Sequence, residues 1–180
     1  MKTIYIFIKN IKRIMRKIIN LFKCKLFEKC GHNIHIGKHC IIDYKNVQLG
    51  DNVSLGDHAL LMSTNAKIII GNDVMLAPFV KIITGNHTYD KVGKTMREIT
   101  ISDKKSSDDA DVIIEDDVWI GADVVILKGV TISKGSIIGA GSIVTKSTQP
   151  YSIYAGNPAK LIKMRFDEEM LIEHIRIMRK

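Results

Sequence analysis

Cysteine is scarce. Cys24, Cys30 and Cys40 make an odd count without a CxxC pair, which excludes a disulfide framework or a zinc knuckle as the organising device and fits a reducing compartment. Long apolar runs are also lacking. The apolar stretch after Met1 is broken at Lys9 and runs into more Lys and Arg without a small-residue cleavage site, so neither a secretory signal nor a bilayer-spanning helix is expected. Aromatic residues are 6% of the chain and do not interleave with a basic groove, which argues against nucleic acid as a partner. The expected location is the cytoplasm.

Charge of either sign is balanced over most of the chain and unbalanced at one end. Residues 1–30 hold nine Lys or Arg against Glu28 alone, so the whole formal charge of +8 lies there. In the same segment Ile4, Phe7, Ile8, Ile11, Ile14, Met15, Ile18, Leu21 and Phe22 recur at helical spacing beside the cations. Two readings follow. A basic amphipathic arm can lie in an anionic membrane interface, as peripheral contact at its inner face; alternatively, its apolar stripe can cap the open end of the body and hide strand edges. At the other end, residues 166–180 place acids early and bases late, as a helix macrodipole favours, with Phe166, Met170, Leu171, His174 and Ile177 or Met178 on one side. A terminal helix is expected there.

The body has a period of its own. Ile114, Ile120, Ile126, Ile132, Ile138 and Val144 stand six apart; three residues after the first five come Asp117, Asp123, Gly129, Gly135 and Gly141, types that tolerate left-handed backbone. Next in line are Val118, Val124, Val130, Ser136 and Ser142, small or β-branched. Period six is neither the 3.6 of a helix nor the two of a half-buried strand. It describes a short strand and a corner repeated along a solenoid. Earlier copies begin at Ile36, Leu49, Leu55, Ile70 and Leu76, so the repeat spans residues 34–147, broken by a short insertion at 61–69 and a long one at 83–113. Insertions project from a solenoid, and projecting loops commonly carry function. The long one contains GNH at residues 85–87.

The segments LAPFVKIITGNH and IIEDDVWIGADVVILKGVTISKGSIIGAGSIVTKSTQPYSIYAGNPAKLIK resemble the hexapeptide-repeat acetyltransferases, in particular the branch of maltose, galactoside, xenobiotic and polysaccharide-modifying enzymes. The resemblance covers residues 34–165. It implies an all-β solenoid, a left-handed parallel β-helix of hexapeptide repeats, which with the limits read above occupies residues 31–165, with the loop 83–113 protruding, between the basic helical arm at 1–30 and the helix at 166–180. It also implies a homotrimer with each active site between neighbouring subunits, acetyl-CoA as co-substrate, and a saccharide acceptor; no metal is expected, because no ligand spacing of the zinc type is present. Acetyl transfer to a hydroxyl is the favoured reaction, with N-acetylation of an amino sugar or a xenobiotic as the alternative. A non-catalytic docking solenoid is the alternative outside enzymology.

By the same resemblance His87 is the general base, a role an imidazole can fill for a sugar hydroxyl attacking a thioester. Ala122, Ala140, Thr145, Lys146, Lys160 and Lys163 are the cofactor positions: small residues let the pantetheine arm approach the backbone, and lysines meet phosphates. Relatives often have Ser at Ala122 and Arg at Lys160 or Lys163, which would add a hydroxyl contact and bidentate phosphate binding. Asn65 and Asp57 correspond to acceptor-contacting positions, with a turn role as the alternative for each. Trp119 is expected to pack beside the cofactor groove, and Asp90, Glu98 and Asp111 are the candidates for orienting His87. His32, His35, His39 and His58 fall in repeat turns without zinc-type spacing.

Overall fold

The computed structural model describes residues 2–178. The period of six becomes five coils of three short strands among the described residues. The first coil is β1 (Lys29–Cys30), β2 (His35–Ile36) and β3 (Ile41–Ile42); the second is β4 (Val47–Leu49), β5 (Ser54–Leu55) and β6 (Leu60–Met62). The third is β7 (Ile68–Ile70), β8 (Met75–Leu76) and β9 (Lys81–Ile83), and the fourth β10 (Val112–Ile114), β11 (Trp119–Ile120) and β12 (Val125–Ile126). The fifth is β13 (Thr131–Ile132), β14 (Ile137–Ile138) and β15 (Ile143–Val144). Stacking gives three parallel sheets, β1-β4-β7-β10-β13, β2-β5-β8-β11-β14 and β3-β6-β9-β12-β15. The chain is a left-handed parallel β-helix, an exception to the right-handed crossover rule.

The repeat positions divide the physical work. Ile114, Ile120, Ile126, Ile132, Ile138 and Val144 point inward and are buried, as are Val118, Val124, Val130, Ser136 and Ser142. Asp117, Asp123, Gly129, Gly135 and Gly141 all have positive φ, between 57° and 73°, and make the corners. Two-residue strands cannot hold themselves, so each coil depends on its neighbours. Side chains at one corner join the coils in series: His32 N donates to Asp51 Oδ1 (2.6 Å), Asp51 N to Asn72 Oδ1 (2.8 Å), and Asn72 N to Asp116 Oδ1 (2.7 Å). At another corner His39, His58 and Phe79 stack in a column, with ring centroids 4.9 and 4.8 Å apart.

Both ends are built differently from the middle. After β15 the chain turns at Tyr151, adds β16 (Ser152–Gly156) parallel to β14, and returns as β17 (Ala159–Met164), antiparallel to β16. Helix α2 (Glu168–Met178) is capped by Asp167, whose Oδ1 accepts from Met170 N at 2.8 Å. Its contact is an aromatic cluster of Tyr151, Phe166 and His174, together with an Arg165–Asp117 ion pair. Met170, Ile177 and Met178 are exposed, so the packed side is narrower than helical spacing suggests. At the other end α1 (Lys2–Cys24) leads to Phe27, which is buried against Tyr44 in an edge contact at 4.8 Å. Burial, and after it a hydrogen bond with Cys24, push the Cys30 thiol up to about 12.

Close stacking gives the first prediction. A Cβ on Gly121 would sit 2.6 Å from Ala140 N and 2.9 Å from Ile138 O in the next coil. Gly121→Ala should therefore lower stability by about 1–3 kcal/mol, read as a drop in the urea midpoint; an unchanged midpoint would show that the coils do not stack this tightly.

Candidate active site

Residues 84–111 leave the β-helix at the corner between the third and first sheets, and the register survives them. Val112, Ile113 and Ile114 pair with Ile68, Ile69 and Ile70 as if nothing intervened. The excursion is closed at its base. Asn86 N donates to Asp108 O (2.8 Å) and Ala110 N to Thr84 O (2.9 Å), while Gly85 and Asp109 form an antiparallel bridge. A side chain at Gly85 would collide with Asp109 Oδ1 at 2.1 Å. Two short 3-10 turns, Ile101–Asp103 and Ser106–Asp108, fold the far limb back.

Three carboxylates fix this loop. The ammonium of Lys94 and then the Thr100 amide hold Asp103 down to about 2, and the Thr88 hydroxyl and then the Lys105 amide hold Asp108 below the ordinary carboxylate range. Burial raises Asp109, but bonds from Lys104 Nζ (2.7 Å) and Asn65 Nδ2 (2.8 Å) outweigh it and leave the group lowered. Thr88, 2% exposed, is thereby pinned to the buried Asp108.

His87 sits directly before that anchor and is itself exposed. Its Nδ1 lies 2.9 Å from the Thr88 carbonyl oxygen. A carbonyl only accepts, so Nδ1 carries a proton, and in the neutral imidazole the lone pair is on Nε2. The side chain lines a cavity of about 280 Å³ with Met62, Thr64, Ile99 and Lys104. A second cavity of about 520 Å³ opens beside it, lined by Asn65, Lys105 and Asp109 among others. The arrangement offers an imidazole with a fixed tautomer, an adjacent cation and a small partly apolar recess. That is the equipment of a general base acting on a polar substrate.

The carboxylates considered as orienting partners are engaged elsewhere: Asp90 with Lys105, Glu98 with Thr95, and Asp111 with Lys67 N. The group on His87 Nδ1 is a main-chain carbonyl, which has no residue type to betray it in a sequence.

The remaining positions separate into two sets across the third sheet. Asn65 shares the His87 corner and bonds Asp109. Asp57, Ala122 and Ala140 lie on the opposite corner, between the second and third sheets. There Asp57 Oδ1 accepts from Lys38 N at 2.7 Å, and Gly141 N donates to Ala122 O at 2.8 Å. Thr145 and Lys146 follow β15, two coils beyond the loop, and are exposed. Lys160 and Lys163 stand on β17 opposite Ala155 and Ile153, also exposed. Trp119 is 49% exposed, on an outer row with Met75 at 56%, so about half of its surface stands open to solvent in the single chain.

This architecture has known counterparts. The family model described as bacterial transferase hexapeptide (six repeats) matches residues 111–146. A maltose O-acetyltransferase structure from Clostridium difficile 630 is 34% identical, with 81% of this chain and 73% of that one covered at a TM-score of 0.65. A hexapeptide-repeat acetyltransferase from Vibrio cholerae O1 biovar eltor, solved with acetyl coenzyme A, is 27% identical over 82% of this chain and 76% of that one, with a TM-score of 0.71. A Lysinibacillus sphaericus protein named for macrolide acetylation is 42% identical over 115 residues; the match takes in 58% of this chain and spans 64% of that relative. The chain belongs to the hexapeptide-repeat acetyltransferases.

The loop anchors titrate in a definite direction. A carboxylate held below its unfolded value, about 3.9 for Asp, contributes fully above that value and loses its contribution as pH falls through the folded one. The Thr100 amide, bonded to Asp103, should lose hydrogen-exchange protection between about pH 4 and pH 2, and the Lys105 amide, bonded to Asp108, should lose it as pH falls below about 4, while strand amides keep theirs. Protection of these two amides that persists unchanged to about pH 2 would contradict the anchoring.

Proposed function

We propose that the protein transfers the acetyl group of acetyl-CoA to a hydroxyl of a saccharide, with His87 as general base. The carrying observation is the Nδ1 contact with the Thr88 carbonyl, which leaves Nε2 free on a side chain that lines the cavity. Nε2 takes the hydroxyl proton as the sugar oxygen attacks the thioester carbonyl. The tetrahedral adduct collapses with loss of the CoA sulfur, and the imidazolium returns its proton to that thiolate. The products are an O-acetyl ester and CoA, and the base is regenerated.

Acetyl-CoA bound to the Vibrio cholerae relative and the maltose O-acetyltransferase name of the Clostridium difficile relative support the two substrates. In this chain Ala122 and Ala140 keep their corner low enough for a pantetheine arm, Thr145 and Lys146 border its course, and Lys160 and Lys163 are exposed cations suited to its phosphates. Asn65 and Asp57 are assigned to the acceptor.

Ala122 and Ala140 lie at the opposite edge of the third sheet from His87, whereas Thr145 and Lys146 leave β15 on the His87 edge; the reading therefore needs a neighbouring subunit to bring Ala122 and Ala140 to the base. We assign a homotrimer in which the His87 corner of one subunit faces the Ala122 and Ala140 corner of the next. Exposed Trp119, Met75, Ile41 and Met62 on the outer walls support that use of the faces. Because the reaction consumes acetyl-CoA, the assigned compartment is the cytoplasm.

His87→Ala should lower kcat by about 10²- to 10⁴-fold and leave the KM for acetyl-CoA close to wild type. His87→Asn should fail to restore turnover, and the wild-type rate should fall as pH drops and the imidazole is protonated. Near-wild-type transfer by the Ala variant would remove His87 from the chemistry.

A further inference from the structure

The N-terminal helix presents its faces in the opposite sense from a cap. Its contact with the body is made from the polar side: Asn20 is 7% exposed, and Lys23 and Cys24 are half-buried. The apolar side points away. Ile4, Phe7, Ile11, Met15, Ile18 and Phe22, one continuous arc at helical spacing, are between 41% and 66% exposed. Leu21, beside them, is 69% exposed. The same spacing assigns positions 2, 9, 12, 13, 16 and 23 to the other arc, and all six are Lys or Arg.

An exposed apolar arc on a 23-residue helix, about 35 Å long, requires an occupant. Residues 1–27 hold eight Lys or Arg and no Asp or Glu. Bundling the arcs of several copies would therefore crowd cations of one sign with no acid to offset them. An anionic lipid surface offers what that bundle lacks: acyl chains for the apolar arc and negative headgroups for the basic one. No helix among the described residues is long and apolar enough to cross a membrane, which leaves the in-plane orientation.

We propose that α1 docks the protein on an anionic bilayer surface, lying flat with Phe7, Ile11 and their neighbours among the acyl chains. In a trimer three such helices would act together, and avidity would raise retention well above that of one helix. This docking is independent of the chemistry at His87, and binding reports on it without any acceptor.

The test is sedimentation of the full-length protein with phosphatidylcholine vesicles containing about one third phosphatidylglycerol, and with phosphatidylcholine alone. The intact protein should sediment with the anionic vesicles, and added salt should weaken the binding. The double variant Phe7→Asn/Ile11→Asn, which changes no charge, should reduce binding by about tenfold or more. Ile6→Asn should bind like the wild type, because Ile6 is 56% exposed but falls on the basic arc. Failure of the wild type to sediment with anionic vesicles would overturn the proposal, as would equal binding by the double variant. A double variant that still binds vesicles while light scattering shows a smaller assembly would also overturn it, by assigning the arc to a second copy.

Discussion

Coil-on-coil registration is the constraint on which everything else in this molecule depends. Strands of two or three residues have no independent stability, and each is held by the strand above and below it in the same sheet. The corner hydrogen bonds from His32 through Asp51 and Asn72 to Asp116 show how strictly the register is kept. Successive donors and acceptors are 19, 21 and 44 residues apart in sequence, yet they occupy equivalent places. A solenoid of this kind tolerates an insertion of any length at a corner, provided that the chain re-enters at the next rung. The loop carrying His87 exists because of that tolerance, and its precision comes from its own anchors rather than from the core.

Those anchors connect the electrostatics of the loop to the position of His87. Asp108 holds the Thr88 hydroxyl, Thr88 offers its carbonyl to His87 Nδ1, and the imidazole is left with one available nitrogen. Asp103 and Asp109 tie the far limb through Lys94 and Lys104. The loop is thus a bracket braced by its own hydrogen bonds on the edge of the prism, which suits the proposed role of His87 as a base. In the proposed trimer the prism of the neighbouring subunit supplies the cofactor corner that faces it.

The sequence made the fold legible wherever its physics is local. Ile114 to Val144 at intervals of six are all inside, and Asp117 to Gly141 all take the left-handed conformation, because corner geometry and inward packing each select residue types directly. Handedness carried no such signal and entered only through resemblance. The orientation of His87 is hidden for a different reason: its partner is a backbone carbonyl, which has no letter, whereas Asp90, Glu98 and Asp111 are engaged elsewhere. Amphipathicity located the arm but could not tell which face meets the body, since that depends on Asn20 and Cys24 near its end. Position in the repeat likewise does not tell whether Trp119 is covered, because its covering would come from outside the chain.

In the proposed trimer one active site is assembled from His87 of one subunit and the Ala122 and Ala140 corner of another. Mixed assemblies test it directly. His87→Ala subunits lack the base, and Ala122→Trp subunits should lack room for the pantetheine arm, so each homomeric preparation should be nearly inactive. After the two are unfolded together and refolded as mixed trimers, some interfaces should pair an intact base with an intact cofactor corner. Acetyl transfer should then return to an appreciable fraction of the wild-type rate. Mixed trimers that form, as shown by differently tagged subunits, but remain as inactive as the parents would place the whole site within one chain and contradict the account.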